Sequence, residues 1–315
     1  MTIQIGIDVG GTNLRVGLIK AGEVINETRF KANFSNICKD NTAPLAYQLI
    51  IDHLANAISS IIQNHADQSF ETHLEVTSVG IGFPGFIDPI THNILQSPNL
   101  PGLFNVNLSA DLAKRINLPV IVENDALAAA YGEYIKLNEA GLSLIYIGLG
   151  TGVGGGLIVH GKPFTGQFGM AMEIGHLTTV QNGRLCGCGK LGCMEQYASA
   201  SGVTLNYAHL TGVTLTADAI ALLAQSGDEH AAKAYAIAGE NLAVALAHII
   251  TVLDIRRVVI GGGLSQAWHL ISPSFNAKLS SMLIPLVIDS IHITIAENND
   301  QAGMIGAAML STITQ

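Results

Sequence analysis

The feature that most constrains this chain is a cluster of cysteines near its middle. Cys186, Cys188 and Cys193, three of the four cysteines, lie within eight residues, and His176 precedes them by ten. One histidine and three thiolates form a complete tetrahedral ligand shell for zinc. The spacing therefore predicts a closed, structural zinc site over residues 176–193. The alternative is a set of buried cysteines that act as small hydrophobic residues.

Two glutamates flank this cluster. Glu173 lies three residues before His176, and Glu195 lies two residues after Cys193. Exposed glutamates are usually solvated and have no further role. A metal would hold both loops, so we expect both carboxylates to be fixed in position, where they can accept hydrogen bonds from hydroxyl groups.

Composition limits the partners of the chain. Of its 315 residues, 49% are hydrophobic and 12% are charged, and the net charge of −9 comes without a basic run. This argues against nucleic acid or an anionic membrane surface as a partner. The apolar stretch Leu242–Leu253 contains His248 and is shorter than the roughly 20 residues of a membrane span. With no signal segment and with Cys38 alone, we expect a reducing cytoplasm.

The order of elements predicts a mixed α/β protein. A strand over 2–9 and another over 14–19 are joined by a glycine turn, and the same arrangement recurs at 142–149 and 154–160. Further predicted strands cover 76–83, 120–123, 257–260 and 291–296; predicted helices cover 44–64, 108–116, 126–136, 217–253 and 302–313. We expect two related domains, 1–119 and 120–298, with a cleft between them.

The first glycine turn contains Asp8, Gly10, Gly11 and Thr12. Glycines let backbone amides approach phosphate oxygens, and Thr12 adds a hydroxyl donor. Asp8, at the end of a buried strand, could hold a magnesium ion directly or through water. An ordinary hairpin turn is the alternative. The pattern matches neither the P-loop nor the dinucleotide fingerprint.

Two later glycine runs extend this pattern. Thr151 and Gly152 belong to the run 150–156, which again joins two strands and could bind a polyphosphate. Gly262 and Gly263 follow a strand, where a flat base or a ribose could approach the backbone.

The segment Glu123-Asn124-Asp125 lies between a strand and an alanine-rich helix. Asn and Asp are favoured helix N-caps, and that role alone would explain them. A carboxylate at a helix start is also held rigidly, as a general base for a sugar hydroxyl must be. Both interpretations are compatible.

Taken together, these motifs resemble the bacterial ROK sugar kinases. Asp-Val-Gly-Gly-Thr, Glu-Asn-Asp, Gly-Thr-Gly-Val-Gly-Gly-Gly, Glu-Ile-Gly-His and Cys-Gly-Cys-Gly-x-x-Gly-Cys-x-Glu follow the family's order. The resemblance implies the actin/Hsp70/sugar-kinase fold, two ribonuclease-H-like domains that close over ATP and sugar. It also implies that the final segment, 299–315, completes the N-terminal domain.

The resemblance also implies roles for individual residues. It assigns Asp125 as the general base, Gly10 to Thr12, Thr151 and Gly152 as phosphate-binding residues, and Gly262 and Gly263 as the adenosine side. The implied sugar ligands are Asn99, Asn124, Asp125, Glu173, His176 and Glu195, with His176 also ligating zinc through its other nitrogen. Asn13 stands where the family often has lysine, and this removes one phosphate contact.

The implied activity is phosphorylation of a hexose at its C6 hydroxyl by ATP with Mg²⁺. Residues 97–102 and 173–176 look most like the glucokinases of the family. N-acetylglucosamine and N-acetylmannosamine kinases are the alternatives, followed by a sugar sensor without catalysis. The family's repressors carry a helix-turn-helix segment before the first glycine turn, and this acidic chain reaches that turn at Asp8. The family is commonly dimeric or tetrameric.

Overall fold

The protein folds into two compact units. The structure, a computed structural model, describes residues 2–10, 13–68, 75–297 and 301–313. The first unit comprises Met1–Leu142, Gly156–Ala171 and Asp300–Gln315, and the second comprises Ser143–Gly155 and Met172–Asn299.

The elements up to residue 137 comprise both strands and helices. They are β1 (Ile3–Val9), β2 (Asn13–Lys20), β3 (Glu23–Lys31), α1 (Phe34–Asp40), α2 (Ala43–Gln68), β4 (Val76–Phe83), β5 (Phe86–Ile87), β6 (Ile94–Gln96), β7 (Phe104–Val106), α3 (Leu108–Ile116), β8 (Val120–Asn124) and α4 (Asp125–Leu137).

The later elements begin with a hairpin and continue mainly as helices. They are β9 (Leu144–Leu149), β10 (Val153–Val159), β11 (Lys162–Pro163), α5 (Glu195–Ala198), α6 (Ala200–Thr211), α7 (Ala217–Gln225), α8 (Glu229–Leu253), β12 (Arg257–Gly261), α9 (Trp268–Met282), α10 (Pro285–Ile288), β13 (His292–Ile295) and α11 (Ala302–Ile313). Short 3₁₀ turns cover Ile174–His176 and Gly263–Ala267.

The sheet of the first unit has the strand order β3-β2-β1-β4-β8. β1, β2 and β3 pair antiparallel, whereas β1 with β4 and β4 with β8 pair parallel. β1 and β4 are almost entirely buried, as expected for parallel strands covered on both faces. The buried core on one side includes Ile50, Leu54 and Ile58 of α2.

The other side of this sheet is covered by α11, which approaches the strand backbones unusually closely. Glycines occupy the contact points, namely Gly6 on β1, Gly80 on β4, Gly132 on α4 and Gly306 on α11 itself. A Cβ atom added to Gly80 would lie 1.7 Å from the backbone oxygen of Ala307. No side chain larger than hydrogen fits there, so these glycines set the distance between helix and sheet.

The predicted domain boundary at Pro119 does not coincide with the division between the compact units. β8 pairs with β4 in register from Val79↔Val120 to Phe83↔Asn124, and α4 packs against α11. Residues up to Leu142 therefore belong to the first unit, and residues 156–171 return to it. Within the segment 299–315, α11 packs on β1, β4 and α4, and residues 299, 300, 314 and 315 lie outside the described residues.

Several elements of the first unit were not predicted. β3, α1 and the three-stranded sheet β5-β6-β7 fill regions where the sequence has no strong period. β5 and β6 are very short, so they leave too few alternating positions for a recognisable pattern.

The second sheet has the order β11-β10-β9-β12-β13, and the division between the units falls within β10. In the second unit, β12 pairs parallel with β9 and with β13. α8 packs on α6, α7 and α9, and Gly239 lets it approach α9 closely, since an added Cβ would lie 2.5 Å from the oxygen of Ile271.

Two helices are apolar over a greater length than Leu242–Leu253, the apolar stretch identified in the sequence. By length and composition, Ala43–Ala66 and Glu229–Leu253 could each cross a membrane, and 50% of the tested α8 window is buried inside the protein. The apolar helix is therefore longer than Leu242–Leu253. Buried core helices of globular proteins have this same composition.

Substitution Gly80→Ala should destabilise the protein by about 3 kcal/mol or more, because the new methyl group would overlap backbone atoms of α11. Thermal and urea unfolding would measure the change. Gly263→Ala is the matched control, since its added Cβ meets no atom within 4 Å. Equal melting temperatures for Gly80→Ala and the wild type would contradict the packing described for α11.

Candidate functional site

In the first unit, polar residues gather where three parallel strands end. Asp8 of β1, Gly82 of β4 and Glu123 of β8 lie side by side in the sheet register. A Cβ added to Gly82 would lie 3.5 Å from the Cα of Asp125 and 3.6 Å from the oxygen of Ile7. Gly82 thus leaves room for Asp125 beside the end of β1.

Asn124 is the N-cap of α4. Its side-chain oxygen accepts hydrogen bonds from the N–H groups of Ala126 and Leu127, both at 3.0 Å. Its amide nitrogen donates to the backbone oxygen of Gly85 at 3.0 Å. The capping alternative is therefore correct for Asn124, and only one of its amide hydrogens remains for a ligand.

Asp125 is the first residue of α4 and is half-buried. One of its carboxylate oxygens, Oδ1, accepts from the N–H of Ala126 at 2.8 Å. The helix start and the cap at Asn124 hold this carboxylate in one place.

Glu123 is almost fully buried, with 9% of its surface exposed. Burial raises the pKa of this carboxyl to about 7, although the N–H of Asn124, 2.8 Å from Oε1, opposes the shift. Glu123 is thus a buried carboxyl group that keeps its proton up to nearly neutral pH, two residues from Asp125. No separate role was predicted for Glu123, although its place at the end of a buried strand was an available signal.

The first glycine turn connects β1 to β2. The N–H of Gly10 donates to the oxygen of Asn13 at 2.9 Å, and Asn13 is exposed. Gly11 and Thr12, both predicted to bind phosphate, lie outside the described residues. Asp8 faces the first turn of α11, where a Cβ on Gly303 would lie 3.1 Å from its Cγ.

Asn99 is exposed in the turn after β6. Ser97 anchors this turn, since its hydroxyl donates to the oxygen of Pro84 and its backbone oxygen accepts from Leu100 at 3.2 Å. The backbone oxygen of Gly85, in the same segment, accepts a hydrogen bond from the side-chain amide of Asn124. A short hydrogen-bonded chain therefore connects the turn of Asn99 to the start of α4.

In the second unit, the β9–β10 turn is closed by a hydrogen bond from Gly150 N–H to Gly152 oxygen at 3.0 Å. Thr151 at its tip is exposed. Gly262, with φ of +81°, passes so close to Leu149 that an added Cβ would lie 2.3 Å from the Leu149 oxygen. The structure thus brings together the second and third glycine runs, because β9 and β12 are neighbouring parallel strands.

The ligand atoms of His176, Cys186, Cys188 and Cys193 all lie within 4.8 Å of one another. Cys186 Sγ is 3.6 Å from His176 Nδ1, and Cys188 Sγ is 3.6 Å from Cys193 Sγ. Tetrahedral zinc with bonds of about 2.0–2.3 Å would separate its ligands by about 3.5–3.8 Å. Both the donor set and its spacing fit zinc.

The thiols of this cluster differ in their surroundings. Burial and the neighbouring thiols raise the pKa of Cys193 to about 12. A backbone hydrogen bond from Lys190 lowers the pKa of Cys188, which is exposed. Because only thiolates bind the metal, binding must displace the protons that the metal-free thiols hold.

The two nitrogens of His176 have different neighbours. Nδ1 faces the thiols, whereas Nε2 is 3.8 Å from Glu173 Oε2. Burial raises the pKa of the Glu173 carboxyl, the charge of His176 opposes this shift, and the charge of Glu195 adds to it. One nitrogen can therefore face a metal while the other faces Glu173.

Glu195, at the start of α5, makes a contact that the sequence did not predict. Its Oε2 accepts the N–H of Val153 at 2.9 Å. This carboxylate therefore touches the glycine turn as well as the metal ligands, with Oε1 4.0 Å from Cys186 Sγ.

Arg184 was also missed by the sequence reasoning. Its guanidinium donates to the oxygen of Gln196 at 2.6 Å and to Asn206 Oδ1 at 2.8 Å, and it lies 4.6 Å from the ring centre of Tyr197. Arg184 thereby attaches the cysteine loop to α5 and α6. A single arginine in a glycine-rich loop of a chain poor in charge was the available signal.

Comparisons with known proteins agree with this architecture. A model of the ROK family matches residues 4–313. A glucokinase of Halalkalibacterium halodurans is 32% identical, with 97% of this chain and 94% of the relative covered. N-acetyl-D-glucosamine kinase of Salmonella typhimurium is 34% identical, with 97% and 98% covered.

A solved structure leads to the same family. The ROK family glucokinase of Streptomyces griseus, in complex with glucose and AMPPNP, has a TM-score of 0.76 and 29% identity, with 98% of each chain covered. The chain belongs to the ROK family. The expected family and the expected α/β fold of the actin/Hsp70/sugar-kinase class are both confirmed.

Substitution Glu123→Gln should make stability less dependent on pH. The folded pKa of about 7 lies above the ordinary value of 4.5. Between these values the unfolded chain has lost a proton that the folded chain keeps, so the wild type loses stability as pH rises from about 4.5 to 7. Complete ionisation would cost about 3 kcal/mol.

The melting temperature of Glu123→Gln minus that of the wild type should therefore rise between pH 4.5 and 7 and then level off. Glu23→Gln, at an exposed position of β3, provides the control for a carboxylate in water. A difference that stays constant across this range would show that Glu123 is not protonated in the folded protein.

Proposed function

We propose that this protein transfers the γ-phosphoryl group of ATP to the C6 hydroxyl of a hexose, with glucose as the first candidate. The observation that carries the proposal is the position of Asp125. In a chain of the ROK family, it is a carboxylate fixed at a helix start, beside the ends of three parallel strands.

Asp125 acts as the general base of this reaction. Its carboxylate accepts the proton of the C6 hydroxyl as the hydroxyl oxygen attacks the γ-phosphorus and the bond to the β–γ bridging oxygen breaks. The products are a hexose 6-phosphate and ADP. Because such transition states are loose, positioning and charge neutralisation supply most of the acceleration.

Backbone groups of the glycine runs bind the nucleotide. We assign Gly10, Gly11, Thr12, Thr151 and Gly152 to the phosphates, which would be bound by backbone amides and hydroxyls, and Gly262 and Gly263 to the adenosine side. Asp8 would hold the Mg²⁺ that accompanies the nucleotide, directly or through water. Asn13 cannot supply the cation that many family members carry at this position.

Side chains that the structure leaves accessible hold the hexose by donating hydrogen bonds to its hydroxyls or accepting hydrogen bonds from them. Asn99 is exposed, Asn124 keeps one amide hydrogen, and the carboxylate of Glu173 is about two-fifths exposed, at 39%. His176 contributes Nε2 and Glu195 contributes Oε1. Paired carboxylates and one imidazole suit the ring hydroxyls of a sugar.

The zinc ligands are His176, Cys186, Cys188 and Cys193. Four protein ligands leave no open coordination position, so bound zinc would cross-link the loop and do no chemistry on the substrate. Its effect is to position Glu173 and Glu195, which adjoin the ligands in sequence.

The choice of sugar stays between two classes. The glucokinase and N-acetylglucosamine kinase relatives are almost equally similar, at 32% and 34% identity. Glucose comes first because the segments 97–102 and 173–176 resemble those of glucokinases. N-acetylglucosamine and N-acetylmannosamine are the alternatives. A sensor without catalysis is disfavoured, since Asp125 is present and held.

The proposal extends to the setting of the enzyme. We place it in the cytoplasm, where thiols stay reduced and ATP is available, as a homodimer or homotetramer. We assign no nucleic acid or membrane partner to a chain of net charge −9.

An ATP-coupled assay with glucose, mannose, fructose, N-acetylglucosamine and N-acetylmannosamine tests the function. The highest kcat/KM should be obtained with glucose, and phosphorus NMR should place the phosphate on C6. A higher value for an N-acetylhexosamine would transfer the assignment to that class. No phosphorylation of any of these sugars would overturn the proposal.

Substitution Asp125→Asn should reduce kcat by about 10²–10⁴-fold, the range typical of lost general base catalysis. Glucose binding measured by calorimetry should change little, because asparagine keeps the size of the side chain and its oxygen. Asp289→Asn, at an exposed position after α10, is the control. Turnover of Asp125→Asn within a few-fold of the wild type would refute the base assignment.

A further inference from the structure

We infer that Glu195 couples the metal site to the glycine turn at residues 150–153, so that nucleotide affinity depends on whether the metal is bound. The inference rests on the proposed function, which assigns this turn to the nucleotide phosphates. It gives Glu195 a positioning role in addition to its proposed contact with the sugar.

The segment that begins at Glu195 holds both ends of the turn. Glu195 Oε2 accepts the N–H of Val153 at 2.9 Å, and the oxygen of Gly150 accepts the N–H of Ala200 at 2.9 Å. A Cβ added to Gly152 would lie 2.5 Å from the same Oε2 atom. The carboxylate therefore lies directly against the turn.

The metal ligands adjoin this segment both along the chain and in space. Cys193 lies two residues before Glu195, and Cys186 Sγ is 4.0 Å from Oε1 of the same carboxylate. The 3₁₀ turn that ends at His176 packs on the same place, since a Cβ on Gly175 would lie 2.6 Å from the oxygen of Val153. The two segments that carry the ligands therefore both contact Val153, one through Gly175 and the other through Glu195.

The consequence for binding follows from preorganisation. A phosphate-binding turn gains affinity when its amides already point in one direction before the ligand arrives. The bond from Val153 to Glu195 fixes one end of the turn, so that the amides of Thr151 and Gly152 keep their direction. Without bound metal, the loops that carry Glu195 lose their cross-link and the turn loses a fixed partner.

The test measures binding of Mg²⁺–AMPPNP, a non-hydrolysable analogue of ATP, to the zinc-loaded full chain without sugar. Glu195→Ala should weaken binding about tenfold, as expected for a lost hydrogen bond to a charged group. Glu195→Gln keeps an acceptor oxygen for Val153 and removes a negative charge from beside the phosphates. It should bind at least as well as the wild type.

A second set of measurements tests the role of the metal, by determining zinc content and by measuring AMPPNP binding with calorimetry. Chelated, metal-free wild type should bind AMPPNP about tenfold more weakly, and zinc should restore binding. Cys186→Ser should lose zinc and show the same weakening, and Glu195→Ala should retain its zinc. If circular dichroism shows that Cys186→Ser does not fold, removal of zinc from the wild type by chelation and its re-addition provide the test instead.

The outcomes separate the inference from the function on which it rests. Unchanged affinity in Glu195→Ala, equal losses in Glu195→Ala and Glu195→Gln, or equal affinity with and without zinc would each overturn the coupling. If the wild type does not bind AMPPNP, or Thr151→Val binds it as well as the wild type does, the assignment of the turn to phosphates fails instead.

Discussion

Parallel pairing of buried strands is the constraint on which the arrangement of each unit depends. In the first unit, β1, β4 and β8 run in the same direction, so Asp8, Gly82 and Glu123 come side by side at one edge. In the second unit, Gly148 and Gly261 are register partners, so the two glycine runs that follow them meet. Strands of this kind expose backbone and side chains for chemistry only where they end.

Glycine serves two purposes in this protein, and they have different physical causes. At Gly80 and Gly306, the missing side chain lets α11 approach the sheet and α4 to a distance that a methyl group would prevent. At Gly262, it allows both a positive φ and contact with Leu149. The first kind fixes the packing of α11, and the second shapes a turn where a ligand can approach the backbone.

Three side-chain hydrogen bonds tie together segments of the proposed site. Asn124 joins α4 to the Pro84-Gly85 turn, Arg184 joins the cysteine loop to α5, and Glu195 joins the same loop to Val153. Each is a side chain bonded to backbone of another segment. Such bonds hold loops whose sequence alone would leave them without regular structure.

Much of the architecture was determined by the sequence itself. Buried strands are recognisable as apolar runs, α2 by its helical period and α4 by its alanines. Three of the four metal ligands lie within eight residues, and His176 precedes them by ten. Short strands such as β5 leave too few residues for a period. The pairing of β8 with β4 could not be predicted either, because it has no local signal in the sequence. Residue type and spacing indicate which groups can take part in the chemistry.

Tertiary structure alone decided which segments those groups touch. The bond between Glu195 and Val153 joins residues 42 apart, and Gly80 meets α11 from the far end of the chain. The buried position that raises the pKa of Glu123 likewise depends on strands and helices that surround it. These contacts form only when distant segments pack together, so no local sequence pattern predicts them. The sequence by itself determines residue identity and local periodicity.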